Sequence, residues 1–340
     1  MEQPTQNIFQ RWYARAEAYV KANPTRSRNI AVIVGLLLLS ILVKLVVDVP
    51  QPHVSLAGQP LMQNGPSWFT NSLLTTFIVD IIILVLAWSA TRNLSIVPSG
   101  LQNAMEAIIE FIYNLAESIA GKAAATYFPW VATLFFFVLV SNYTGLIPLV
   151  GSLGFYHTAE PSEAMAPAVG GQLAMADGKL ILVTATAEAV GAREEFVPLF
   201  RAPSADLSTT FALSLATMFM VQYYGYKALG WKYFKKFAFW SPSSEGSGKL
   251  INGFVIFLEL ISEISRILTF AFRLFGNIFA GEVVLAVISF LVPFLIPVPF
   301  YGLEVLVGAI QALVFTMLAL IFFSMATISH GHEEHAEAHH

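Results

Sequence analysis

The sequence predicts an all-α polytopic membrane protein: about six hydrophobic helices, the last two long, strongly tilted and folded into a C-terminal hairpin, with a small external β-hairpin insertion. Three observations carry that prediction. Of the 340 residues, 56% are hydrophobic and 12% charged, and the mean hydropathy is +0.67, a composition foreign to soluble domains. Apolar runs long enough to span a bilayer recur between loops that alternate in Lys and Arg content. The last two runs are longer than one upright crossing needs. The chain has no cysteine, which excludes disulfides and thiolate metal sites. A formal net charge of −4 argues neither for nor against nucleic acid.

Residues 1–66 are expected to form a basic segment, an extra anchor helix and an external loop. Arg11, Arg15, Lys21, Arg26 and Arg28 outnumber Glu2 and Glu17 ahead of the apolar run at 30–47. By the positive-inside rule this places the N-terminus in the cytoplasm. No small-residue cleavage site follows, so a retained anchor is expected rather than a removed signal peptide. Lys44, near the far end of the helix, has a stem long enough to reach the interface. Residues 49–66 have no Lys or Arg and several Pro, Gly and Gln, as an external loop has.

A second span at 67–90 returns the chain to Arg92 on the cytoplasmic side. Asp80 within it is read as a hydrogen-bonded or protonated carboxylate at a helix interface, in preference to a transport residue. At 98–126, Met105, Ile108, Ile109, Ile112, Leu115 and Ile119 recur at helical spacing among Glu106, Glu110, Glu117 and Lys122, which predicts an amphipathic helix at the cytoplasmic surface. A third span at 130–150 ends in SNYTGLIP, around Asn142 and Pro148. The insertion at 151–203 holds more acidic than basic residues; 172–176, Asp177-Gly178 and 179–187 predict its β-hairpin, because Asp-Gly suits a tight turn. Its acids are read as a solvated surface rather than a proton-collecting one. A fourth span at 207–226 opens with PSAD, where Ser204 or Asp206 can cap the helix. Lys227, Lys232, Lys235, Lys236 and Lys249 then mark a cytoplasmic loop.

The run at 250–289 would extend about 60 Å as one helix, against a hydrocarbon core of about 30 Å. It is expected to tilt strongly or to bend near Gly276 or Gly281. After a turn at Pro293, Pro297 and Pro299, a second long helix is expected at 301–329, followed by a His-rich cytoplasmic tail at 330–340. That tail is read as solvated rather than metal-binding, because no rigid frame holds its imidazoles.

Chemistry concentrates on the two long helices. Arg273 lies at membrane depth, where a charge costs about 2.5–3.5 kcal/mol on insertion scales and must therefore face protein or water. Asn277 is one turn away on the same face, and Gly276 and Ala280 leave a shallow groove for another helix. Folding the two runs together about Val292 sets Arg273 opposite Gln311 and Glu304 opposite Ala280, close to Glu282. The arrangement suits a proton route that ends near a fixed cation.

FRLFGNIFAGE at 272–282 and IQALVFTMLALIFFSMA at 310–326, with SNYTGLIP and PSADLSTT as weaker motifs, closely resemble the proton-channel subunit of F-type ATP synthases, subunit a. The resemblance covers residues 67–329. It implies that Arg273 is the essential stator charge beside a rotating ring and that Gln311 is its partner on the next helix. It implies that Glu282 and Glu304 belong to the external proton half-channel, that Asn277 and Asn142 line the pathway, and that Glu259 lies toward the cytoplasmic exit. The partners it implies are the c-ring subunits, the peripheral-stalk b subunits, the rest of the synthase and the lipid bilayer, with no nucleic acid, no metal and no cofactor. A bacterial plasma membrane with both termini cytoplasmic fits the charge pattern. The extra first helix, the insertion and the His-rich tail depart from the family. A secondary transporter would be expected to show an internal repeat, and the sequence has none; a non-transporting scaffold would leave Arg273 and the two glutamates without a task.

Overall fold

The structure, a computed structural model, describes residues 22, 24–46, 57–61, 66–147, 150–151, 153–158, 172–176, 179–183, 194–231, 233, 247–292 and 296–327. The basic segment at 1–21, the Asp177-Gly178 turn, most of the lysine-rich loop and the tail at 330–340 lie outside these residues. The chain divides into two compact units, residues 1–54 with 281–304, and residues 55–280 with 305–340.

Helix dominates, as apolar sequence at membrane depth requires, because it satisfies every backbone group within one segment. Helix α1 (Pro24–Val46) starts on a proline, whose missing N–H is lost at no cost in a first turn. Helix α2 (Asn71–Thr91) is capped by Thr70, whose Oγ1 accepts the Leu73 N–H. Its Ser72, Thr75 and Val79 are buried, while Phe77, Ile81, Leu84 and Trp88 face outward. Asp80 is on that exposed side and not buried against another helix of its own unit, because Thr75 and Val79 are the nearest residues of α2 that turn inward.

Helix α3 (Gly100–Ala120) buries Ile112 and Ala116 and exposes Glu106, Glu110 and Glu117, which is the amphipathic pattern read from sequence. At its end Gly121 turns with φ +53°, a conformation that glycine adopts without strain. A short 3-10 turn leads into α4 (Ala124–Thr144). Helix α4 begins six residues before the expected span at 130–150, because Pro129 falls early enough in it to forfeit a single backbone bond. Helix α5 (Leu207–Leu229) is capped by Asp206, which accepts the Ser208 N–H at 3.0 Å; Ser204 instead lies buried in the preceding 3-10 turn.

Between α4 and α5 the described residues form four strands. The hairpin β2 (Gln172–Ala176) and β3 (Lys179–Val183) is antiparallel, with Ala176 opposite Lys179. The strand β3 is described to Val183; the rest of the expected run, 184–187, lies outside the described residues. A second antiparallel pair, β1 (Gly154–Thr158) with β4 (Glu194–Pro198), flanks it in sequence, and no local alternation of apolar and polar residues announces it.

Helix α6 (Ser247–Leu291) has 45 residues, about 67 Å at 1.5 Å per residue. Its helical backbone is unbroken, so neither Gly276 nor Gly281 interrupts it. Helix α7 (Pro297–Thr327) has 31 residues. Pro297 and Pro299 belong to its first turn rather than to the preceding turn, since a first turn tolerates their missing donors. Among the described residues, four helical stretches are long and apolar enough to cross a membrane: Asn71–Thr91, Gly100–Thr144, Gly253–Leu291 and Pro297–Thr327.

In the second unit the core joins α4 through Val131, Leu134 and Val138, α5 through Met218 and Val221, α6 through Phe270 and Leu274, and α7 through Phe315, Leu320 and Phe323. Lipid is as apolar as leucine, so close packing and interhelical hydrogen bonds hold such helices together. Phe270 meets Phe315 edge-on at 4.8 Å. Tyr224 meets Tyr127 at 5.1 Å and Phe323 at 5.3 Å; each such pair adds about 0.5–1.5 kcal/mol beyond area burial. Hydrogen bonds from Ser214 Oγ to Ile267 O at 2.7 Å and between the Tyr127 and Thr327 hydroxyls at 2.8 Å fix α5 on α6 and α4 on α7.

Candidate functional site

The amide and charged side chains singled out from the sequence divide between the two units. In the second unit, Arg273 is partly buried on α6 and forms no hydrogen bond or ion pair with a described residue. Around it α6 presents a strip of small or polar residues. Ser265, Thr269, Asn277 and Ala280 are exposed, and a methyl group at Gly276 would meet nothing within 4 Å. The Thr269 hydroxyl is satisfied by its own helix, donating to Ser265 O at 2.7 Å. The strip is therefore smooth around Arg273.

Asn277 Nδ2 donates to Gln311 Oε1 at 2.7 Å. Gln311 thus meets Asn277, one turn beyond Arg273, where back-folding about Val292 had set Arg273 itself opposite it. Gln311 is 4% exposed, and its Nε2 has no hydrogen-bond partner among the described residues. Asn142, on α4, donates from Nδ2 to Gly308 O at 3.0 Å, and the neighbouring Tyr143 hydroxyl donates to Val305 O at 3.2 Å. Gly308 permits that approach, since a Cβ there would stand 3.3 Å from Asn142 Cβ. Asn142 is thereby part of the seam between α4 and α7. Glu259 is partly buried on α6, nearer its N-terminal end.

In the first unit, Glu304 on α7 is 8% exposed, and its Oε1 has no hydrogen-bond partner among the described residues. The carboxylate packs on the bare backbone of Gly281, where any Cβ would overlap it. Glu282, the next residue of α6, is exposed.

Sequence reasoning missed two further polar groups in the second unit. Glu263 and Arg266, three residues apart on α6, form an ion pair at 3.1 Å; the i, i+3 spacing of opposite charges was the available signal. The other is a buried knot beneath the insertion. Arg201, 4% exposed, donates from one guanidinium nitrogen to Ala57 O at 2.7 Å and from the other to Ala205 O at 3.0 Å, and its backbone N–H donates to Thr75 Oγ1 at 3.1 Å. Asp206 accepts from the Ser72 hydroxyl. Asn71 Nδ2 donates to Pro198 O at 3.0 Å. Residues far apart in sequence build this knot, so no local pattern announces it.

The arrangement sets a guanidinium that has no ion-pair partner among the described residues on a strip of small and polar residues, with an amide pair beside it. The family model described as ATP synthase A chain matches residues 73–324. ATP synthase subunit a of Moorella thermoacetica is 31% identical over 268 residues, covering 79% of this chain and 94% of that protein. The proteins of the same name from Trichlorobacter lovleyi and Legionella pneumophila are 31% and 30% identical, covering 74% and 79% of this chain and 85% and 91% of their own lengths. With four apolar stretches of spanning length and a match over most of its sequence, this multi-pass membrane protein belongs to the ATP synthase subunit a family.

Proposed function

We propose that the chain is the stator proton-channel subunit of a rotary F-type ATP synthase, in which two offset half-channels deliver protons to and from carboxylates on the c-ring. Arg273 carries the reading: a guanidinium at membrane depth, without a counter-ion among the described residues, on a strip smooth enough for a moving partner. A guanidinium stays protonated and favours the ionised form of any carboxylate brought close to it. Each ring carboxylate reaching Arg273 therefore gives up its proton before passing, and the fixed charge blocks a direct leak between the half-channels. Glu282 and Glu304 serve the external half-channel, Asn277, Gln311 and Asn142 the polar lining, and Glu259 the cytoplasmic exit. Six spans with both termini in the cytoplasm of a bacterial plasma membrane satisfy every loop charge bias except the weak one at 92–128, and the c-ring, the b subunits and the rest of the synthase are the partners.

One proton crossing 100 mV releases about 2.3 kcal/mol, so several must accumulate through rotation for each ATP. The test is proton-driven ATP synthesis by vesicles carrying the whole complex. Arg273→Ala is expected to abolish synthesis, and Arg273→Lys to fail as well, because lysine is a flexible point charge that loses its proton more readily when desolvated. Normal synthesis by the alanine variant refutes the proposal. So does solute transport by the isolated chain that ignores a carboxyl reagent on the ring, which would make the chain a permease.

A further inference from the structure

Helix α6 carries two arginines on one stripe. Arg266 and Arg273 are seven residues apart, which places them within about 20° of each other around the helix and about 10 Å apart along it. Their surroundings are opposite. Arg273 has no ion-pair or hydrogen-bond partner among the described residues. Arg266 is compensated twice: by the Glu263 carboxylate at 3.1 Å, and by the Phe322 ring of α7, whose centroid is 5.1 Å from its guanidinium carbon.

The order of burial explains how this holds. Glu263 is 8% exposed and lies on the side of α6 that also carries Phe270, the residue that packs against Phe315 and Phe322. It therefore draws Arg266 inward, away from the strip of Ser265, Thr269, Gly276 and Ala280. A buried carboxylate beside an arginine is costly to build and weak as a source of stability, since desolvation consumes most of the Coulombic gain. Its retention at this position calls for another benefit.

We propose that Glu263 is a positioning residue that masks Arg266, leaving Arg273 as the one uncompensated cation among the described residues of the ring-facing stripe. The inference rests on the stator reading above. A ring carboxylate that has released its proton at Arg273 must not find a second guanidinium two helical turns further along the same face. An exposed cation there would hold it as an anion and delay its reprotonation. Glu263 and Phe322 withdraw that cation without removing its bulk, and the net charge of the pair is zero.

The test compares Glu263→Gln, Arg266→Gln, the double variant and Glu263→Asp in the whole complex, in inverted vesicles. ATP-driven proton pumping is measured per assembled complex, with assembly quantified separately. Glu263→Gln unmasks Arg266 and is expected to slow turnover about ten-fold, the scale of one charge acting across about 10 Å in a partly polar medium. The double variant is expected to return to within about two-fold of wild type, and so are Arg266→Gln and Glu263→Asp, because none of the three leaves an unmasked cation.

A merely structural pair behaves differently. There Arg266→Gln, which strands the buried carboxylate, harms assembly at least as much as Glu263→Gln, and turnover per assembled complex moves with neither. That pattern overturns the proposal, as does a double variant no faster than Glu263→Gln. Arg273→Ala measured in parallel separates the two levels. If it still pumps, the stator reading fails. If it is silent while Glu263→Gln turns over normally, the masking role alone fails.

Discussion

Gly281→Ala probes the tightest polar approach in the first unit. The added methyl would overlap both carboxylate oxygens and the carboxyl carbon of Glu304. Because the carboxylate is 8% exposed, it has little free space to retreat into. Overpacking of this kind costs about 1–3 kcal/mol. If the whole cost falls on placing the carboxylate, proton delivery slows by roughly five- to 150-fold, at ten-fold per 1.36 kcal/mol. The assay is proton-driven ATP synthesis in vesicles, normalised to the amount of assembled complex. Adding Glu304→Asp shortens the opposing side chain by one methylene, so the double variant is expected to recover part of the rate lost by Gly281→Ala. Full activity in Gly281→Ala refutes the reasoning, because the close approach would then be absent from the working protein; so does a double variant no faster than Gly281→Ala.

Two further perturbations address the framework. Asp206→Ala removes both the cap on Ser208 and the acceptor for the Ser72 hydroxyl and is expected to destabilise by about 2–4 kcal/mol; Asp206→Asn keeps an acceptor oxygen and should lose less, measured as the thermal midpoint of the detergent-solubilised complex. Asn142→Leu breaks the bond to Gly308 O and sets a branched side chain against the close approach that Gly308 permits; a loss of about 1–3 kcal/mol is expected in the same measurement, whereas Thr133→Val, on the exposed side of α4, should leave it unchanged.

Much of this organisation was readable before the fold. Apolar runs announced α2, α4, α6 and α7 because membrane depth tolerates few alternatives to helix. Asp-Gly between two short runs announced β2 and β3, because that turn is a local matter. Arg273 stood out for the same reason, its cost being independent of what surrounds it. Pairings between distant segments were another matter. The strands β1 and β4 meet across 35 intervening residues, and Arg201 finds Ala57 and Thr75 through tertiary contacts that no periodicity encodes. The offset between α6 and α7, which gives Gln311 to Asn277 rather than to Arg273, follows from side-chain packing and not from counting residues about a turn. Asp80 shows the opposite limit: its position in α2 was plain, but which face it would occupy depended on Val79 and Thr75 turning inward.

The hydroxyl groups of α5 change how polar that helix is to its surroundings. Thr210 donates to Leu207 O at 3.0 Å, Thr217 to Leu213 O at 2.8 Å and Ser214 to Ile267 O at 2.7 Å, so the two threonine O–H groups are satisfied within α5 and the serine O–H by a carbonyl of α6, and none of the three is left open to lipid. A residue-by-residue hydropathy sum charges α5 for three open donors. The folded helix presents methyl groups and shielded oxygens instead, and its effective polarity is that of a more apolar sequence. Partition measured on the isolated α5 peptide, where Ser214 has no Ile267 carbonyl to reach, should therefore underestimate how readily this segment is accommodated once α6 is beside it.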